Sequence, residues 1–244
     1  MRPAIFHSER EIAAALSTRT GGVSPAPLGM NTSFSVGDDR SNVVKNRELF
    51  LGGHGIRLTE LASPEQVHGN RVRCVTEPGS YPVCDALMTD TPRVFLSISF
   101  ADCVPILLYD PAARAVAGVH AGWKGTASGI ALVALRAMEQ EYGSSPGNTL
   151  VFLGPAAGAC CYQVGEDVTS HFDKRCVRMT KGKSYVDLKR ANLDQLCSAG
   201  VRLEKIEVSP HCTICRPDLF HSYRRDRDKS GRMMAVIGLR ARSG

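Results

Sequence analysis

Apolar positions divide the chain into runs of two kinds, and the two kinds take turns. Uninterrupted apolar runs too short for helices, at 94–100 (VFLSISF), 115–119 (AVAGV), 149–154 (TLVFLG) and 233–239 (MMAVIGL), read as buried strands. Shorter β-rich stretches at 71–75, 184–186 and 203–208 join them, and 83–90 reads as a loop entering a buried segment. Helical patterns appear from Ser41 or Asn42, either a suitable cap, to about Leu51, where Gly52 and Gly53 end it. Others cover 127–142, with Ile130, Val133, Ala134 and Ala137 on one face, then 166–172 and 188–199. The opening residues give a short helical pattern that runs into a Gly/Pro loop at 18–25. This order predicts an α+β (mixed α/β) fold, a single domain over 1–244 with mixed β-sheets flanked by helices. A final strand that closes the fold predicts poor tolerance of C-terminal truncation.

With 43% hydrophobic and 22% charged residues the chain can bury a full core, and no long Pro/Ser stretch divides it. The longest apolar run is too short to cross a bilayer and the first residues lack a secretory core, so the expectation is a cytoplasmic protein with no membrane partner. Nine cysteines, an odd number, then argue for reduced thiols. Adjacent Cys160 and Cys161 cannot bridge without strain.

A net charge of +6 raises nucleic acid as a partner, yet the excess gathers late, in Arg224, Arg225, Arg227, Lys229 and Arg232. One tryptophan and 6% aromatics make no stacking platform, which argues against nucleic acid and for a small anion such as phosphate.

The chemistry concentrates at 101–126 (ADCVPILLYDPAARAVAGVHAGWKGT), where Cys103 and His120 follow or end buried strands. A strand end is where side chains converge on a cleft while the sheet fixes the backbone. Thiolate and imidazole suit zinc, and His68, at another strand edge, supplies a third ligand with a fourth position left open. Separations of 35 and 17 residues match no compact zinc motif, so packed core residues remain the competing reading. Asp85 is placed to act as a base or to orient a histidine, or simply to form a turn. Arg47 reads as a surface charge or an inward fork for an anion. GWKGT, a Gly-rich turn before a helix, offers amides and Lys124 to phosphate, though it lacks the full GxxxxGK[ST] spacing. The lone CxxC at Cys212 and Cys215 lacks the second CxxC pair of a four-cysteine zinc site, and Cys160 and Cys161 read as packed thiols.

Taken together, QVHG at 66–69, DALMT at 85–89, ADCVP, GVHAGWKGT, GACCYQVG and SYRRD with the following GR resemble the laccase-domain (multicopper polyphenol oxidase-like) family. TRTGGVS, NTSFSVGDD and NR extend the resemblance over almost the whole chain. It implies a purine nucleoside enzyme: zinc-dependent phosphorolysis of adenosine, inosine and methylthioadenosine, plus adenosine deamination. It implies His68, Cys103 and His120 as metal ligands, Arg47 and Lys124 on the anion side, and Asp85 as proton handler with Cys103 and Arg47 in the catalytic set. Ser63-Pro64 departs from the family, where many relatives carry an aromatic, which leaves open how the base is stacked.

Copper in place of zinc, and phenol oxidation, is the family's older implication; seven scattered histidines with no His-x-His pair speak against several coppers. A metal-free alternative makes Cys103 the nucleophile and His120 the base of a hydrolase or amidase. A non-enzymatic module acting on cell-wall precursors or nucleic acid through its basic surface is a third.

Overall fold

A computed structural model describes residues 1–241. In chain order the strands are β1 (Ile12–Leu16), β2 (Leu61–Pro64), β3 (Val72–Cys74), β4 (Gly79–Tyr81), β5 (Ala86–Thr89), β6 (Phe95–Phe100) and β7 (Val104–Asp110). They continue as β8 (Ala115–Ala121), β9 (Leu150–Leu153), β10 (Gln163–Val164), β11 (Val177–Thr180), β12 (Lys183–Val186), β13 (Ile206–Val208) and β14 (Met233–Leu239). The helices are α1 (Arg40–Gly52), α2 (Trp123–Ala127), α3 (Ile130–Tyr142), α4 (Glu166–Thr169), α5 (Leu188–Ser198) and α6 (Tyr223–Asp226). The mixed α/β architecture expected from the alternation is the one observed.

A five-stranded sheet in the order β1-β14-β6-β2-β4 faces a six-stranded sheet in the order β13-β9-β7-β8-β5-β3, and β10-β12-β11 form a small third sheet. Both large sheets mix parallel and antiparallel pairs. The inner layer joins Leu96, Ile98 and Phe100 of β6 to Leu107 and Tyr109 of β7 and Val116 of β8. The alternate residues Ile106 and Leu108 of β7 point the other way, onto Ile130, Ala134 and Met138 of α3. On the opposite side Ala13, Ala15 and Val236 meet Phe50 and Leu51 of α1. Strands covered on both faces need no polar positions, which is why these runs are uninterrupted. Gly118 lets the two sheets close, since a Cβ there would meet Ile98 at 3.2 Å.

Three elements differ from the sequence reading. Residues 12–16, an alanine-rich stretch of good helix formers, form β1 because both of its faces are covered, and burial outweighs intrinsic preference. The helix expected over 127–142 is broken: Gly129 adopts φ +71°, α2 ends before it and α3 starts after it, and Val133 is exposed rather than inward. The cap of α1 is Asp39, whose carboxylate accepts from the Ser41 amide, so the helix starts ahead of both Ser41 and Asn42.

His221, fully buried, lies between Gly231 and the start of β14. Burial and then the Arg19 charge push its pKa down to about 4. Between that value and its ordinary one the unfolded chain binds a proton that the fold refuses, so stability rises with pH across this window. Going from pH 7 to pH 5 is expected to cost about 2 kcal/mol through this group. Urea midpoints at the two pH values should show that loss in the wild type and a smaller one in His221→Gln.

Candidate metal centre and cavity

The two large sheets exchange chain at one edge, and the candidate ligands sit on the exchanges. β6 belongs to one sheet and β7 to the other, with Ala101, Asp102 and Cys103 the whole connection. The turn is tight enough to hold Asp102 at φ +91°. Its carboxylate accepts from Thr213 Oγ1 and the Arg224 amide, each at 2.6 Å, and its carbonyl accepts from the Ala157 amide. His68 lies on a second crossing, between β2 and β3, at φ +60°. His120 is on β8, paired with Pro105 of β7.

These three residues converge. One ligand atom from each of His68, Cys103 and His120 falls within 4.8 Å of the others, and the two imidazoles stand edge to face with centroids 4.8 Å apart. Asp85, completely buried, holds the group together. Its carboxylate accepts from the amides of Val67, His68 and Gly69 at 3.1, 2.9 and 2.8 Å and from His120 Nδ1 at 2.8 Å. Burial alone would raise its pKa, but the His120 and Gly69 donors outweigh this and hold it below the usual carboxylate range. Burial likewise opposes the Cys103 thiolate, yet His120 and His68 bring its pKa down to about 6. His120, against its own burial, is lifted to about 9 by Cys103 and Asp85. The two shifts are mutual, each group favouring the charged form of the other.

That donor set fits a metal. With Nδ1 engaged by Asp85, His120 keeps Nε2 as its ligating nitrogen, the arrangement in which a carboxylate orients a ligand imidazole. Two imidazoles and one thiolate leave a fourth position open, as catalytic zinc sites do, and copper would be accepted too.

Glycines of the GWKGT turn make the convergence possible. A Cβ on Gly122 would meet His68 at 3.0 Å and the Cys103 sulphur at 3.1 Å, and one on Gly125 would reach the Gly69 carbonyl at 2.8 Å. Lys124 is exposed, with its ammonium 5.6 Å from the Trp123 ring, and does not line the cavity.

A cavity of about 950 Å³ opens over the centre. Its far wall carries Arg47, Arg224 and Arg232. Arg47 Nε donates to the Thr32 carbonyl at 2.7 Å, the Thr32 amide donates to the Arg232 carbonyl, and Arg232 donates its amide to Asn31 Oδ1. The 31–32 segment thus holds the Arg47 guanidinium and the Arg232 backbone, while the Arg232 guanidinium donates to the carbonyls of Ser230 and Gly231 at 2.7 and 3.0 Å. Desolvation, then the Arg40 charge, pulls Arg47 down to about 10, and burial lowers Arg232 as well. Neither guanidinium is in an ion pair among the described residues. Asn46, beside Arg47, is buried and ties the 22–31 loop to α1 through Ser24, Gly29, Asn31 and Val23.

Of the residues singled out in the sequence, His68, Cys103, His120 and Arg47 line this cavity, and Asp85 lies directly behind it. Reading the sequence missed Tyr162, Tyr223 and Phe34 as lining groups, and noticed Arg232 only as part of a basic cluster. Ser63 and Pro64 form wall without an aromatic; the rings stand elsewhere, on Phe34, Tyr162 and Tyr223.

A cleft lined by a His-Cys-His set that could hold a metal ion, between mixed sheets, defines a class of α/β protein, and comparison supplies the family. The family described as multi-copper polyphenol oxidoreductase laccase matches residues 13–240, and the chain belongs to it. It is 38% identical to a Geobacillus stearothermophilus protein named purine nucleoside phosphorylase YlmD, over 93% of this chain and 90% of that one. A Bacillus subtilis protein of the same name is 34% identical over 96% and 90%. The crystal structure of YlmD from Geobacillus stearothermophilus superposes with a TM-score of 0.91, covering 98% of this chain and 94% of that one. No helix among the described residues is long and apolar enough to cross a membrane.

Replacing Asp85 by Asn puts an amide donor where four donors already point. Metal affinity is expected to fall roughly 10–100-fold, read by competition with a chromophoric chelator. Far-UV circular dichroism should be unchanged.

Proposed function

We propose that this chain is a zinc-dependent purine nucleoside phosphorylase acting on adenosine, inosine and methylthioadenosine, with adenosine deamination as a second reaction in the same cavity. The observation that carries the proposal is one cavity with a His-Cys-His donor set at its base and unpaired guanidinium groups on its wall. Phosphorylases are the named relatives, and the cavity volume is in the range that takes a small-molecule ligand.

His68, Cys103 and His120 would hold zinc, which would supply Lewis acidity at its open fourth position. Arg47 and Arg232 hold inorganic phosphate, with Arg224 nearby, so that a phosphate oxygen attacks the ribose C1′ while the bond to the purine breaks and its electron pair leaves with the base. Phe34 and Tyr223, both exposed, bring aromatic rings to the cavity wall near the arginines, with the Arg47 guanidinium 4.3 Å from the Phe34 centroid and that of Arg232 5.3 Å from the Tyr223 centroid. Each carboxylate oxygen of Asp85 already accepts two hydrogen bonds, so it acts as a positioning residue for His120 and His68. Lys124 stands outside the phosphate wall and takes no part.

One observation favours a second reading. Cys103 is a thiolate beside His120, which Asp85 orients, and this is also the layout of a thiol hydrolase or amidase. Alkylation separates the two: zinc that protects Cys103 from iodoacetamide excludes the free nucleophile.

Elemental analysis of protein purified without added metal, run beside Cys103→Ala, tests the proposal. Zinc at this site and phosphorolysis should vanish together in the variant, whereas active wild-type protein with no metal on these ligands would sink the reading. Arg47→Ala should raise KM for phosphate at least about tenfold, the loss of one charge-assisted contact, with a smaller change in KM for nucleoside.

A further inference from the structure

Four cysteines outside the cavity form a second convergence. Cys160 and Cys161 lie in the turn between β9 and β10, and Cys212 and Cys215 in the segment after β13. Their four sulphur atoms all lie within 4.8 Å of one another. The Cys215 sulphur is 3.5 Å from that of Cys160 and 3.3 Å from that of Cys161. A tetrahedron with metal–sulphur bonds of about 2.3 Å has edges of about 3.8 Å, so small shifts bring all four to bonding distance. The CxxC therefore does find a partner pair, 51 residues upstream of Cys212 by sequence number, which a search for a second CxxC passes over.

We infer that Cys160, Cys161, Cys212 and Cys215 bind one structural zinc ion, separate from the His68-Cys103-His120 centre. The inference does not rest on the phosphorylase reading.

The surroundings leave room for the sulphurs and supply one donor: the Gly158 amide donates to the Cys212 sulphur at 3.2 Å. A Cβ on Gly158 would meet the Cys160 sulphur at 3.3 Å and the Cys212 sulphur at 3.5 Å, so glycine keeps the space open. Four thiolates around a divalent ion leave excess negative charge. The Lys189 ammonium is held beside the cluster by the carbonyls of Ser209 and His211, and Arg178 is held there by the carbonyl of Ala159. A disulfide would use two of the four sulphurs, and the adjacent pair cannot form one without strain. A soft-ligand metal uses all of them.

The clamp would join two segments that each reach the cavity: Tyr162 follows Cys161 and lines it, and Thr213 follows Cys212 and bonds Asp102 next to Cys103.

Protein is purified reduced and without added metal, and zinc is counted in wild type, Cys160→Ser/Cys215→Ser and Cys103→Ala. The double variant should lose one equivalent of zinc relative to wild type and keep the metal on His68 and His120, while Cys103→Ala should keep the four-cysteine ion. In wild type, alkylation mapped by mass spectrometry should spare these four thiols until a chelator is added, which serves if the double variant does not fold. Equal zinc in wild type and a folded double variant, chelator-independent alkylation, or a disulfide among the four would each overturn the inference. Loss of metal from neither site in Cys103→Ala would count against the cavity centre alone.

Discussion

Everything at the candidate centre depends on one buried carboxylate. Asp85 is completely shielded from solvent and carries its charge there because three amides and one imidazole donate to it. An isolated charge in such a place would cost several kcal/mol. Satisfied, it fixes the loop bearing His68 to the strand bearing His120 and chooses which nitrogen of His120 faces outward. Removing it would undo geometry, tautomer and charge at once.

The sheets give that interaction its frame. Because the chain passes between them in three residues at 101–103, Cys103 has almost no freedom of its own, and Asp102 accepts an unusual backbone angle to make the turn. The same edge admits the N-terminal segment at 31–34 and the SYRRD region, so residues from opposite ends of the sequence share one cavity. Of the three candidate ligands only His120 is on a strand; His68 and Cys103 sit on the connections between sheets, and of the arginines Arg47 is on α1, Arg224 on α6 and Arg232 just before β14.

Much of this could be read in advance, and the exceptions have physical causes. His68, Cys103 and His120 stood out as soft and borderline ligands at strand ends, but spacing alone fitted packed core residues as well, and it was the ordered motifs of one family that favoured a metal site. β6, β8, β9 and β14 were visible because both faces are buried, whereas β7, read only as part of the ligand-bearing stretch, was not. β1 was not, since alanine favours a helix and only its pairing with β14 decides the matter. The break at Gly129 was hidden by good helical spacing on either side. Arg232 and Tyr162 become neighbours of Cys103 only through pairings far apart in sequence, and spacing carries no trace of them. Lys124 shows the converse: a persuasive local pattern whose glycines serve to let His68 and Cys103 approach, leaving the lysine in solvent.

The position of β14 bears on how the molecule is made. It sits between β1 and β6, and β1 has no other sheet partner. The six-stranded sheet is complete once the ribosome has passed Val208, but the five-stranded sheet waits for Leu239. During synthesis, at about 5–20 residues per second, the apolar β1 and one edge of β6 spend seconds unpaired. The nascent chain is therefore most exposed to aggregation, and most in need of a chaperone, until β14 has emerged to fill the gap between β1 and β6.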